Sequence, residues 1–176
     1  MKKIEIEIPE GKEVQWIGDT LKLVDVKKPV TERIKTFEDA CKELGNHPCL
    51  KEYALIDPFT NFYSKDLIAY LKLRIIIAAL NEGWEPKFTE GEYRYYPWFY
   101  FYTKEQYNKL TDEEKECCVL RSGYNTFSYF GFMRCGAFLD ASYSSANFGS
   151  RLVFKTKELA EYAGKQFIDI YADFYL

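Results

Sequence analysis

The chain has 176 residues, of which 47% are hydrophobic and 29% are charged, and its formal net charge is −3. This composition is typical of a folded globular protein and excludes a chain that is intrinsically disordered throughout. The length fits one domain, so we expect a single domain over residues 1–176. The small net charge provides no overall field that would attract nucleic acid or anionic lipid.

Aromatic residues make up 18% of the chain and include 15 Tyr, 14 Phe and 3 Trp. Aromatic side chains are favoured in β-strands, where they pack on a pleated surface. Tyr and Trp combine a large apolar body with a polar tip, which suits both a half-exposed sheet face and a binding surface. We therefore expect an antiparallel sheet rich in aromatic residues.

The N-terminal part of the chain has the pattern of extended structure. Residues 3–8 alternate Ile with Lys or Glu, which is typical of a half-buried strand. A second extended stretch over residues 14–26 contains Gly18-Asp19 as a turn, so residues 1–27 are predicted to form an N-terminal hairpin. The first residues lack the apolar core of a signal peptide, and no apolar stretch is long enough to span a bilayer. We expect a cytoplasmic protein without a membrane partner.

Three segments have the periodicity of helices. Residues 36–44 begin with an N-cap at Thr36, place Asp39 at the capping-box position and end before Gly45. Residues 64–82 are apolar on most sides, which predicts a central helix buried in the core. Residues 157–174 predict one long C-terminal helix, whose apolar stripe consists of Leu159, Ala163, Phe167, Ile170 and Phe174.

The remaining regular segments are predicted strands and short helical turns. Residues 92–102 are almost all aromatic, and Pro97 within them favours an edge strand or a β-bulge, because proline cannot donate to a strand ladder. Short helical turns follow over 104–110 and 112–116, and extended segments over 117–121, 127–139 and 151–154. The predicted fold class is α+β, with the sheet packed on the 64–82 and 157–174 helices.

The sequence contains no recognisable catalytic or metal-binding constellation. His47 is the only histidine, and neither a Gly-x-Ser-x-Gly motif nor a Cys-x-x-Cys pair is present. We expect the five cysteines to be free thiols, and we predict no catalytic residue, no metal and no cofactor. An enzyme with a Cys135 nucleophile stays open as a subordinate hypothesis.

Two groups of residues are candidates for binding. The loop 140–151 places Tyr143, Phe148 and Arg151 among small hydroxyl residues, a composition favoured in binding loops but also in ordinary hairpin connections. The aromatic segment adds Tyr93, Tyr95 and Trp98, which we expect to be exposed. The leading hypothesis is a non-enzymatic binding or structural module for a protein or glycan partner.

The alternative hypothesis is a protein that binds single-stranded nucleic acid in phage replication or recombination. Lys27, Lys28, Arg33 and Lys35 form a basic cluster that could attract phosphates, and exposed aromatic rings could stack with bases. Acidic residues are interleaved throughout the chain, so this hypothesis is not favoured.

Four segments resemble a family of uncharacterised proteins from prophages and mobile elements of Bacteroides-type gut bacteria. They are Lys35 to Gly45, Ile76 to Trp84 with Pro86, Tyr95 to Phe99, and Gly149 to Phe167. The resemblance implies a phage or mobile-element protein without catalytic residues to carry over. The segment Phe148 to Phe154 is also faintly similar to the closing strand of C-type-lectin-like variable domains, which display ligand-binding surfaces, although those domains lack a long C-terminal helix.

Overall fold

Two antiparallel sheets and eight α-helices make up the described part of this computed structural model. The structure describes residues 7–56, 63–87, 91–122, 127–138 and 150–176, with the backbone alone at 122, 127–128, 132–138 and 150. The predicted strand over residues 3–8 falls largely outside the described residues. The arrangement of helices and sheets confirms the predicted α+β fold class.

The N-terminal sheet is the predicted hairpin. Strand β1 (Lys12–Ile17) pairs with β2 (Thr20–Asp25), and Ile17 lies opposite Thr20. The two-residue connection is Gly18-Asp19, where Gly18 has a φ of +62° that favours glycine. Most hairpin side chains are exposed, including Trp16, which is 70% exposed. The hairpin is therefore an appendage rather than part of the core.

The second sheet contains the aromatic segments. Its strands are β3 (Arg94–Tyr102), β4 (Cys118–Ser122) and β5 (Phe127–Phe138), in the antiparallel order β3-β5-β4. The prediction for Pro97 is confirmed, because β3 lies at the sheet edge. One residue further along, the partner of Trp98 is Arg134 but that of Phe99 is Phe132, so β5 carries an extra residue there.

Four of the helices before the C-terminal segment lie near the predicted boundaries, whereas helices over 30–33 and 48–54 were not predicted. Helix 37–44 begins with the predicted reciprocal capping box between Thr36 and Asp39 and ends at Gly45, where φ is +59°. The longest helix has seven buried residues, six of them in its C-terminal half. The six helices before the C-terminal segment are α1 Val30–Arg33, α2 Phe37–Leu44, α3 Pro48–Ala54, α4 Lys65–Leu80, α5 Lys104–Asn108 and α6 Asp112–Glu116.

The predicted C-terminal helix is divided at Phe167. Helix α7 (Lys157–Gln166) ends and α8 (Ile168–Tyr175) begins at this residue, whose φ of −114° and ψ of 28° leave the helical region. The expected stripe continued through Ile170, but the buried residues of α8 are Tyr171 and Ala172. The break therefore turns the apolar face by one to two positions, which brings the Tyr171 ring against the sheet.

The prediction of an extended segment over 151–154 is wrong. Residues Ser150–Leu152 form a 3₁₀ helix, and only Phe154 pairs with β3, through two backbone hydrogen bonds with Tyr95 of 3.0 and 2.7 Å. The neighbouring backbone groups bond to a side chain instead. The Asn81 amide donates to the Val153 carbonyl at 2.9 Å and accepts the Lys155 N–H at 3.1 Å.

The core lies between the inner face of the β3-β5-β4 sheet and the helices. Helices α7 and α8 pack on the sheet, and α4 packs on α8, α2 and α3. Phe130 of β5 is completely buried and joins the two layers, with its ring 4.6 Å from that of Phe99 and 5.9 Å from that of Tyr175. The sheet is thus covered on one face by helices.

We expect alkaline pH to weaken this core through Tyr175. Burial, with a contribution from Tyr96, raises the pKa of Tyr175 to about 12, against an ordinary value of 10.0. A raised phenol pKa means that the folded state holds the proton more tightly. The contribution of Tyr175 to the free energy of unfolding is complete below pH 10 and is lost as the pH rises toward 12. The loss is about 1.4 kcal/mol at pH 11. Urea unfolding at pH 9 and pH 11 measures this loss of stability.

The matched control for this prediction is Tyr175→Phe, which keeps the ring and removes the titrating hydroxyl. Other groups that titrate above pH 10 act equally on both proteins, so the variant isolates the Tyr175 contribution. We expect the wild-type protein to lose about 1.4 kcal/mol more than the variant between the two pH values. An equal loss in both proteins would contradict the assignment.

Candidate functional site

The structure describes four of the six predicted binding residues, Tyr93, Tyr95, Trp98 and Arg151. Trp98 lies on the outer face of β3, whereas Tyr93 and Tyr95 stack on each other at 6.2 Å on the opposite side of the chain. Arg151 lies in the 3₁₀ helix. Tyr143 and Phe148 of the predicted loop 140–151 lie outside the described residues, as do all residues from 139 to 149. Of the three predicted residues in the aromatic segment, Trp98 alone therefore belongs to the outer face.

The alternation of β3 separates its aromatic side chains into two sets. Tyr95, Pro97, Phe99 and Phe101 point to one side, and Tyr96, Trp98, Tyr100 and Tyr102 point to the other. Tyr95 and Phe99 pack against the helix core. The expectation that Tyr95 is exposed is therefore wrong, because it shares the strand face that the helices cover.

The outer set forms a row of neighbouring rings along the edge strand. The ring centroids of Tyr96 and Trp98 are 6.3 Å apart, and those of Tyr100 and Tyr102 are 5.0 Å apart. Trp98 is 39% exposed and Tyr100 is 43% exposed, whereas Tyr96 is buried. The row is thus fixed at one end and open to solvent along its middle.

The outer face continues across the sheet. Gly131 of β5 lies opposite Tyr100 on one side and Cys118 on the other. A Cβ atom at Gly131 would lie 2.6 Å from the Cys118 sulfur and 2.8 Å from the Tyr102 ring, so only glycine leaves room for these side chains.

A stacked ring pair borders the face at its far end. Tyr129 of β5 stacks on Tyr107 of α5, with centroids 3.9 Å apart and an interplanar angle of 14°. The Lys115 ammonium lies 5.9 Å from the Tyr107 ring. We call the exposed surface formed by Trp98, Tyr100, Tyr102 and Leu120 the outer aromatic face. Three of its members belong to β3 and Leu120 belongs to β4, so the sheet backbone holds them in place.

Sequence reasoning missed Tyr100 as a member of this face. The signal was present, because Trp98 and Tyr100 are two residues apart in a strand and therefore share a side. The exposed Leu120 of β4 could not be found in the same way, since its position depends on the order of the strands.

The basic cluster near the end of the hairpin is partly neutralised. Lys27 lies 3.2 Å from Glu43 and 3.6 Å from Glu82, and Arg33 forms ion pairs with both carboxylates. The Arg33 guanidinium and the Lys27 ammonium lower the pKa of Glu43. Two of the four cations, Lys27 and Arg33, are thus already paired within the fold, which weakens the basis of the nucleic-acid hypothesis.

The Cys118 thiol and the His47 imidazole each form a hydrogen bond with a nearby backbone group. Burial raises the pKa of the Cys118 thiol, which also donates to the Glu114 carbonyl at 3.3 Å. His47 caps α3, since its Nδ1 accepts the Cys49 N–H at 3.2 Å. The Cys135 side chain lies outside the described side chains. Across the described ranges, no group of three His, Cys, Asp or Glu residues is arranged to hold a metal ion.

The fold and this surface define a small α+β protein whose aromatic sheet is covered by the core helices on one face. Within the part of the chain that the structure covers, no helix is both long and apolar enough to cross a membrane. Comparisons with protein-family models, with curated proteins and with solved structures found no match to the chain.

Proposed function

We propose that the protein is a non-enzymatic binding module that holds a protein or glycan partner on the outer aromatic face. The observation that carries this proposal is the exposed pair Trp98 and Tyr100 on the edge strand β3. Large rings that are fixed in position contribute contact area at a low cost in side-chain entropy, and for this reason Tyr and Trp dominate binding hot spots.

The position of this pair on the sheet supports a role in binding rather than in packing. Helices cover the opposite face of the sheet, so the fold has no need for large exposed rings on the outer side. A contiguous exposed apolar patch on a protein surface marks an interaction site. Leu120 extends the apolar area onto β4, where it is 50% exposed.

The resemblance of residues 149–167 and three shorter segments to prophage proteins adds a biological setting to the proposal. In this setting the module is encoded by a phage or mobile element and acts in the cytoplasm of the bacterial host. The genes on either side test the setting, because a phage protein lies among replication, packaging or tail genes.

The binding proposal is tested with a double variant and a matched control. The wild-type chain, Trp98→Ala/Tyr100→Ala and Trp16→Ala are applied to a glycan array and to a library of displayed peptides. Trp16 is the most exposed tryptophan and belongs to the hairpin, so its removal takes away exposed aromatic area at another place. We expect ligands of the wild-type protein to bind the double variant at least about tenfold more weakly, equivalent to about 1.4 kcal/mol, and Trp16→Ala normally.

Two outcomes would contradict the proposal. One is unchanged binding by the double variant, and the other is an equal loss in Trp16→Ala. Because Trp98 and Tyr100 are on the sheet face away from the helix core, circular dichroism should show that the double variant is folded.

A further inference from the structure

A second surface, separate from the outer aromatic face, is a cleft of about 420 Å³. It lies between the start of α3, the C-terminal half of α4, the segment 83–86 and the residues around Arg151. Its volume is in the range of sites for small molecules. Its lining includes neither Trp98 nor Tyr100, so the cleft has no part in the function proposed above.

The floor of the cleft is apolar and well packed. Leu44, Ile77 and Val153 contribute aliphatic surface to it, and Ile77 and Val153 belong to the buried residues of the protein. Asn81 fixes the Val153 backbone through its amide, so the wall that carries Arg151 is tied to α4. The cleft is therefore a preformed cavity that can bury an apolar group.

The polar groups of the cleft are mostly hydrogen-bond donors. The Arg74 guanidinium is already bound to Glu52 and contacts the Cys49 sulfur at 3.6 Å. Arg151 is exposed and, among the described residues, has no carboxylate partner. Glu85 is the one carboxylate among the described lining residues, and it is exposed. An unpaired guanidinium beside an apolar floor favours a ligand that carries a carboxylate.

His47 and Trp84 complete the recognition surface. Since His47 Nδ1 accepts the Cys49 N–H, the proton of the neutral imidazole resides on Nε2, which is left as a donor. Trp84 is half-buried at the turn after α4, where Gly83 has a φ of +83° and the Trp84 N–H bonds to the Asn81 carbonyl at 3.0 Å. An indole at this position offers a flat apolar wall to a ring or an alkyl chain.

We propose that this cleft binds a small amphipathic carboxylate, with the apolar part of the ligand against Ile77, Val153 and Trp84 and the carboxylate on Arg151. Arg151 holds the carboxylate through two parallel N–H···O bonds, and the His47 Nε2–H is a further donor. Arg74 keeps its pair with Glu52 and shapes the wall.

Trp84 provides the readout for a direct test. In the variant Trp16→Phe/Trp98→Phe, the remaining tryptophan is Trp84, so its fluorescence reports on the cleft. The probes are benzoate, 3-phenylpropionate, 4-phenylbutyrate and hexanoate, each paired with its primary amide. We expect at least one carboxylate to change the emission saturably and to bind at least tenfold more tightly than its amide.

The matched variants are Arg151→Gln and Lys109→Gln, each of which removes one exposed positive charge. Arg151→Gln should weaken carboxylate binding at least tenfold, whereas Lys109→Gln should leave it unchanged. An independent readout is the rate of Cys49 alkylation by iodoacetamide, which a bound carboxylate should slow while the Cys117 rate stays constant. Cys49 lines the cleft and Cys117 does not.

The proposal is overturned if no carboxylate changes the Trp84 emission. It is also overturned if the amides bind as tightly as the acids, or if Arg151→Gln binds as the parent does. These outcomes do not affect the proposal for the outer aromatic face, because that proposal is tested with different residues and different ligands.

Discussion

Phe130→Ala should lower the free energy of unfolding by about 3–5 kcal/mol, the range for removing a fully buried aromatic ring. Phe130 is completely buried and is surrounded by the rings of Phe99, Phe101 and Tyr175. Removing it leaves a cavity at the place where the sheet meets the helices, and rigid rings on three sides collapse poorly into such a cavity. Urea unfolding followed by circular dichroism gives the value.

The control for Phe130 is Tyr100→Ala, which truncates an aromatic residue on the other face of the same sheet. Tyr100 is 43% exposed, so its loss should cost less than about 1 kcal/mol. Similar losses in the two variants would mean that the sheet does not have one covered and one open face. The same control shows that variants of the outer aromatic face are folded.

Asn81→Ala should lower the free energy of unfolding by about 2–4 kcal/mol, because it leaves two backbone groups without a partner. Asn81 is only 4% exposed and holds the Val153 carbonyl and the Lys155 N–H. A buried donor or acceptor that loses its bond does not regain one from water. Urea unfolding measures the loss.

Gln166→Ala is the matched control for Asn81. The Gln166 amide also donates to a backbone carbonyl, that of Lys35 at 2.8 Å, but from an exposed position. Water replaces this bond, so the loss should stay below about 1 kcal/mol. If Asn81→Ala cost no more than Gln166→Ala, the side chain would not be what holds the 153–155 segment on α4.

Local patterns were enough to predict most of the elements. The capping box of Thr36 and Asp39, the stop at Gly45 and the edge position of Pro97 each depend on neighbouring residues, and each prediction is confirmed. The reason is that caps, turns and proline act through the backbone within a few residues. The hairpin turn at Gly18-Asp19 belongs to the same group.

The predictions that were wrong depend on contacts between distant parts of the chain. The division of the C-terminal helix at Phe167 and the 3₁₀ helix at Ser150–Leu152 depend on how those segments meet the sheet and Asn81. A side chain 72 residues away takes the Val153 carbonyl, and no local pattern reveals such a partner. Packing decided the structure at both places.

In the candidate sites, too, local patterns predicted some residues, whereas others depend on tertiary contacts. Trp98 was predicted from composition, and Tyr100 follows from alternation, but the separation of Tyr95 from Trp98 required knowledge of which face the helices cover. Arg151 was expected beside Tyr143 and Phe148 on one loop. Its place in a cleft with Trp84 and His47 depends on tertiary contacts that join three segments of the chain.

The central claim is that a partner binds the outer aromatic face, and site-specific photocrosslinking tests it most directly. The crosslinking residue p-benzoylphenylalanine replaces Tyr100 in one sample and Leu55 in another, and the cells that produce the protein are irradiated. Leu55 is 80% exposed and belongs to the end of α3, so it controls for random encounters. We expect a discrete crosslinked protein or glycoconjugate from position 100 that is absent from position 55. The same products from both positions, or none from position 100, would contradict the claim.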